Sequence, residues 1–213
     1  MSDLPEVQAW RRVGITLGLV ACAVYPVAVL VPIPSRRLTV VLAASFGPAF
    51  AFACWALGRI LQAKRKSVAT EIAMLSSVLA GALVAAMILV QLAVRYSPVP
   101  SVDPGLTKFV VHRIWDIDLG LDVAFDVFVG IGTTLFGWSM LEDERFGRIL
   151  GWAGIVVGAV VILGFNFATF PLPPAEGGLF DPGIVTGIWY LAVVIMMIRW
   201  KPETTEPPLA RNP

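Results

Sequence analysis

The stretch WDIDLGLDVAFD, Trp115 to Asp126, carries four aspartates and runs directly into VFVGIGTTLFGWSML, which has no charged residue. At about 100° per residue on a helix, Asp118, Asp122 and Asp126 recur every four positions and form one narrow stripe, while Asp116 points away from it. Carboxylates stacked in this way can hold a cation or hand on protons. Which of these applies depends on what surrounds them.

The chain of 213 residues is 57% hydrophobic and 15% charged, with a mean hydropathy of +0.80. Soluble domains carry about a quarter charged residues, so this composition implies an integral membrane protein whose surroundings are the lipid bilayer. A net charge of +1 gives no basis for a nucleic-acid partner. Cys22 and Cys54 both fall inside apolar runs, where a thiol behaves as a small hydrophobe.

The apolar runs predict an all-α, six-helix bundle with approximate spans 13–31, 38–58, 72–94, 118–141, 149–170 and 184–199, in one transmembrane domain covering 13–199. Residues 1–12 precede it and the proline-bearing tail 200–213 reads as disordered. The fourth span is the unusual one. Val127 to Leu141 gives only about 22 Å of helix against a hydrocarbon core of about 30 Å, so the helix must take in the acidic stretch. The segment LVAC at Leu19–Cys22 looks like a lipoprotein cleavage box, but the apolar run continues past it, so it is read as part of the first helix.

Counting Lys and Arg between spans places eleven on the side of the termini and five on the other, which predicts cytoplasmic N- and C-termini and an even number of helices. The fourth helix then descends from the outer side. Asp126 is expected about 6 Å below the outer edge of the hydrocarbon, Asp122 near that edge, and Asp118 and Asp116 among the headgroups. Gly130, Thr133 and Gly137 continue or flank the stripe, so this face should turn into the bundle, with Gly151, Gly154 and Gly158 of the fifth helix and Ser77, Gly81 and Ala85 of the third as packing partners.

Other polar residues are expected at the same end: Gln91 and Arg95 on the third helix, His112 and Arg113 before the fourth, Asn166 on the fifth, and Tyr25 and Tyr190 on the first and sixth. Together with Asp118, Asp122 and Asp126 they would form an outward acidic pocket above an apolar plug. An ionisable group at membrane depth costs about 2.5–3.5 kcal/mol on insertion scales and so marks a functional candidate. The alternative is that the aspartates only fix helix register by hydrogen-bonding to Gln91, Asn166 or Arg95.

Catalytic chemistry finds little support. A catalytic zinc generally takes three protein ligands, often histidines, and the chain has one His, so no metal site or cofactor is predicted. There is no GxSxG elbow and no Lys in the middle of a span. GRIL occurs at Gly58–Leu61 and Gly147–Leu150, but one copy ends a helix and the other begins one, which is not how repeated halves align.

The run GLDVAFDVFVGIGTTLFGWSMLEDERFGRILGWAGIVVGAVVILG, followed by a proline-rich loop and GIWYLAVVIMMIRW, resembles small bacterial six-helix membrane proteins of domain-of-unknown-function families. The resemblance implies a compact bundle in a bacterial inner membrane and brings no activity or catalytic residue with it. The expected role is binding or translocation of a small cationic or protonated solute. A non-catalytic accessory subunit with a membrane-protein partner is the second reading, and an intramembrane enzyme the third.

Overall fold

The computed structural model describes residues 4–30, 35–96 and 104–200. They form six helices long and apolar enough to cross a bilayer: α1 (Leu4–Leu30), α2 (Arg36–Lys64), α3 (Val68–Tyr96), α4 (Pro104–Met140), α5 (Gly147–Thr169) and α6 (Pro182–Arg199). The described residues contain no strand. Such an architecture follows from the solvent: in hydrocarbon every backbone N–H and C=O must be satisfied within the segment, and a helix does this.

Consecutive helices pack against each other from α1 to α5, and α6 closes the ring on α1 and α5. The interior is filled by Leu57, Ile60, Phe136, Met140, Ile162 and Met197, all fully buried. Large apolar side chains such as Phe52, Leu75, Val160, Phe167 and Ile184 remain exposed around the perimeter, which suits contact with lipid tails.

The helices exceed the apolar runs because a helix need not be apolar where it leaves the core. α4 shows this most clearly. Its 37 residues amount to about 55 Å at 1.5 Å per residue, roughly 25 Å more than the hydrocarbon thickness. The surplus is its first turns, where Arg113 donates to Asp116 at 3.0 Å and His112 stands 4.0 Å from the same carboxylate. These pairs at i,i+3 and i,i+4 support a helix outside the bilayer.

Small residues set the helix spacing. A Cβ on Gly137 of α4 would lie 2.6 Å from the Gly151 carbonyl oxygen and 2.7 Å from the Ile155 nitrogen of α5. One on Gly158 would lie 2.6 Å from the Gly130 carbonyl oxygen. Backbones this close are the usual basis of helix association in lipid. On the other flank of α4, Gly132 meets Ser77 of α3. Gly81 and Ala85, expected against α4, instead pack on Gly47 and Ala51 of α2, because the row Ser77, Gly81, Ala85 drifts about 40° round α3 with each four-residue step.

α5 is not uniformly α-helical: Val156–Gly164 is wound as π-helix between two α-helical pieces. This winding aligns its buried row, Gly154, Gly158, Ile162 and Asn166. In an α-helix each four-residue step overshoots a full turn by about 40°, so Asn166 would be carried about 120° round from Gly154. Wider turns cancel that drift. Asn166 therefore stays on the line that faces α4.

Candidate functional site

The structure divides the acidic stripe between two neighbours. Asp118 turns toward α3, where Gln91 Nε2 donates to its Oδ2 at 3.0 Å. Asp126, two turns further on, faces α5, where Asn166 Nδ2 donates to its Oδ2 at 2.7 Å. Asp122 is half-buried between them. The split follows from the same overshoot of about 40° per four residues, which separates Asp118 from Asp126 by about 80°.

Asp118 is covered by the bundle. It is 4% exposed, as buried as Asn166 and more so than Asp126 at 7%. The reason is α3, which continues to Tyr96 and brings Gln91 alongside. Asp116 does face outward, with Arg113 and His112.

Two members of the expected pocket stand apart from it. His112 is exposed at the start of α4, about 21 Å along the helix from Asp126. Arg95 is exposed, with its guanidinium 5.7 Å from the Tyr96 ring. The side chain of Tyr25 lies outside the described residues, as do residues 201–213 of the tail. Among the described residues, Asp118, Asp122 and Asp126 form no ion pair with a Lys, Arg or His. The surrounding charges have the opposite effect, since Asp122 feels Asp118 together with Asp181 and Glu176 of the α5–α6 loop.

The Asn166 amide fixes its own orientation. Its Nδ2 is 2.7 Å from Asp126 Oδ2 and 3.0 Å from the Ile162 carbonyl oxygen, and both of these accept. Only the NH₂ group can satisfy two acceptors, so the amide oxygen must point elsewhere. That Oδ1 is buried and has no hydrogen-bond partner, and the same is true of Asp118 Oδ1. Unsatisfied buried acceptors are rare in native proteins, where each has a cause.

Further along α4 from the carboxylates, a small polar group interrupts the mostly apolar interior. Thr133 Oγ1, about two turns before the end of α4, and the Tyr190 hydroxyl, at the middle of α6, are 3.2 Å apart. Cys54 borders Tyr190, and the buried Ser77 Oγ lies beside them. Tyr190 thus belongs to this buried group rather than to the carboxylates. The four residues come from four helices, so only the fold could bring them together.

Among the described residues, no three His, Cys, Asp or Glu side chains converge to hold a metal ion. A six-span integral membrane protein is the class that the fold defines. No family model matches the chain, and neither a curated protein nor a solved structure does.

Proposed function

We propose that the protein binds a small cation or protonated solute at Asp122 and Asp126, reached from the outer side of a bacterial inner membrane, with both termini in the cytoplasm. One observation carries this reading. The neutral Asn166 amide is the partner of the buried Asp126 carboxylate, and it leaves an unpartnered buried oxygen beside it. A carboxylate held without a counter-charge, next to a carbonyl acceptor and under further negative charge from Asp122 and Asp181, attracts a positive ligand. The eleven-to-five division of Lys and Arg supports the orientation, and the resemblance to small bacterial six-helix proteins supports the membrane.

Binding fits better than passage. From Asp126 to Thr133 is about 10 Å along α4, and the fully buried Phe136 follows. Calorimetric titration of the purified protein with sodium, potassium, magnesium, calcium and methylammonium tests the reading. Saturable heat with at least one of them is expected, lost in Asp122→Asn, Asp126→Asn protein that still unfolds cooperatively. No heat with any of these ligands from folded wild-type protein would overturn it and put the accessory-subunit reading first.

A further inference from the structure

At the opposite end of the bundle, the α2–α3 and α4–α5 turns border an open cavity of about 310 Å³. This is at the lower end of the range for small-ligand pockets, about 300–1,000 Å³. Its wall is polar on one side, with Lys64, Arg65, Ser67 and Thr70, and apolar on the other, where Trp138 is 60% exposed at the perimeter. Glu142 and Asp143 also line it.

The charges there do not cancel evenly. Arg65 pairs with Glu142. Asp143 is occupied by Arg145, whose NH2 lies 2.6 Å from Oδ2 and whose Nε lies 2.9 Å from Oδ1. Lys64 has no ion-pair partner among the described residues. Beside it α3 begins at Val68, and the start of a helix presents unpaired N–H groups and a partial positive charge. Thr70 Oγ1 donates to Ser139 Oγ at 2.9 Å, so its proton is engaged, and Ser67 lines the cavity beside it.

We propose that this cavity seats a phosphate-bearing headgroup, with the phosphate against Lys64 and the start of α3 and the attached alkyl portion along Trp138. An unpaired ammonium, a helix N-terminus and the Ser67 hydroxyl form a phosphate-binding set. An exposed indole at a bundle end matches the level of bilayer headgroups. The same chemistry would take a phospholipid or a soluble phosphate ester. The proposal is independent of the carboxylates on α4.

Delipidated protein in detergent, followed by thermal unfolding during titration, tests it with three probes: phosphatidylglycerol, diacylglycerol and glycerol 3-phosphate. Saturable stabilisation by phosphatidylglycerol and none by diacylglycerol is expected, with the midpoint about tenfold weaker in Lys64→Gln. Lys66→Gln, which removes an exposed charge outside the cavity, should keep the wild-type midpoint. Stabilisation by glycerol 3-phosphate at a similar midpoint would make the source a soluble ester, and its absence would make it the bilayer; the cavity is a phosphate site in both cases. Equal effects of phosphatidylglycerol and diacylglycerol, equal losses in Lys64→Gln and Lys66→Gln, an unchanged midpoint in Lys64→Gln, or no stabilisation by any probe would overturn it.

Discussion

The contact between Asn166 and Asp126 predicts a measurable coupling between α4 and α5. Asn166→Leu removes the donor 2.7 Å from the carboxylate and leaves a buried acceptor unsatisfied, at a cost of about 2–3 kcal/mol. Asp126→Leu costs less, about 1–2 kcal/mol, because Asn166 keeps its bond to the Ile162 carbonyl oxygen. In the double variant neither group is stranded. Interhelical hydrogen bonds in membrane proteins average about 0.6 kcal/mol and reach about 1.7, and the short distance and charged acceptor put this one near the top. The double variant should therefore be about 1.5 kcal/mol more stable than the sum of the single losses. At about 2–4 °C per kcal/mol for a chain of this size, Asn166→Leu should lower the midpoint by about 5–10 °C. Tryptophan fluorescence during reversible unfolding in mixed micelles reads all four proteins. Losses that add to within about 0.3–0.5 kcal/mol would refute the pairing and mean that water, not Asn166, solvates the carboxylate.

Three further outcomes follow from the packing and the turns. Gly158→Val should destabilise by about 3 kcal/mol or more, since its side chain would meet Thr134 and the Gly130 backbone, while Gly120→Ala, with open space around it, should stabilise by about 0.5–1 kcal/mol; paired unfolding curves decide both. Arg145→Met should cost about 3–5 kcal/mol in the same assay because Asp143, 4% exposed, loses its counter-ion, and adding Asp143→Asn should recover part of that. In a background without Cys22 and Cys54, an impermeant thiol reagent on intact cells should label Glu176→Cys and spare Lys66→Cys; the reverse pattern would invert the orientation.

The six spans were legible because a membrane-crossing helix requires a long apolar run, and each of these helices contains one. The start of α4 was not. Its first turns, from Pro104 through His112 and Arg113, hold only a few apolar residues (Leu106, Phe109, Val110 and Val111) between Lys108, His112 and Arg113, too few to read as a span, and the helix there is supported by pairs such as Arg113 with Asp116. The stripe of Asp118, Asp122 and Asp126 could be read from its four-residue spacing, but not which neighbour each carboxylate meets. That depends on how far α3 extends and on the π winding of α5. A strict row of Gly154, Gly158 and Asn166 was the visible trace of that winding, and it carries meaning only once α5 is known not to follow the 3.6-residue period. His112 shares α4 with the aspartates and still points elsewhere, because nearness along a helix says nothing about the face, and Arg95, one turn beyond Gln91 on α3, is exposed.

Two aspartates of this protein make the case for a ligand at α4. Asp143 and Asp126 are 4% and 7% exposed, yet Asp143 receives a two-point contact from Arg145 and Asp126 only an amide hydrogen. The chain thus neutralises one buried carboxylate with its own cation and leaves the other to a neutral partner. If that difference serves binding, a built-in cation should compete with the ligand. Gln91→Lys provides one at little steric cost, because Gln91 is partly exposed, has similar length and already reaches Asp118 at 3.0 Å. An ammonium there adds a positive charge about 6 Å from the level of Asp122, where the potential is set by carboxylates alone. The variant should fold with wild-type or greater thermal stability, and the cation affinity seen by calorimetry should fall about tenfold, a change of about 1.4 kcal/mol. A stable Gln91→Lys protein that binds cations with wild-type affinity would show that the negative potential of the stripe does not determine binding, and the role of Asp118 would then reduce to holding α3 and α4 in register.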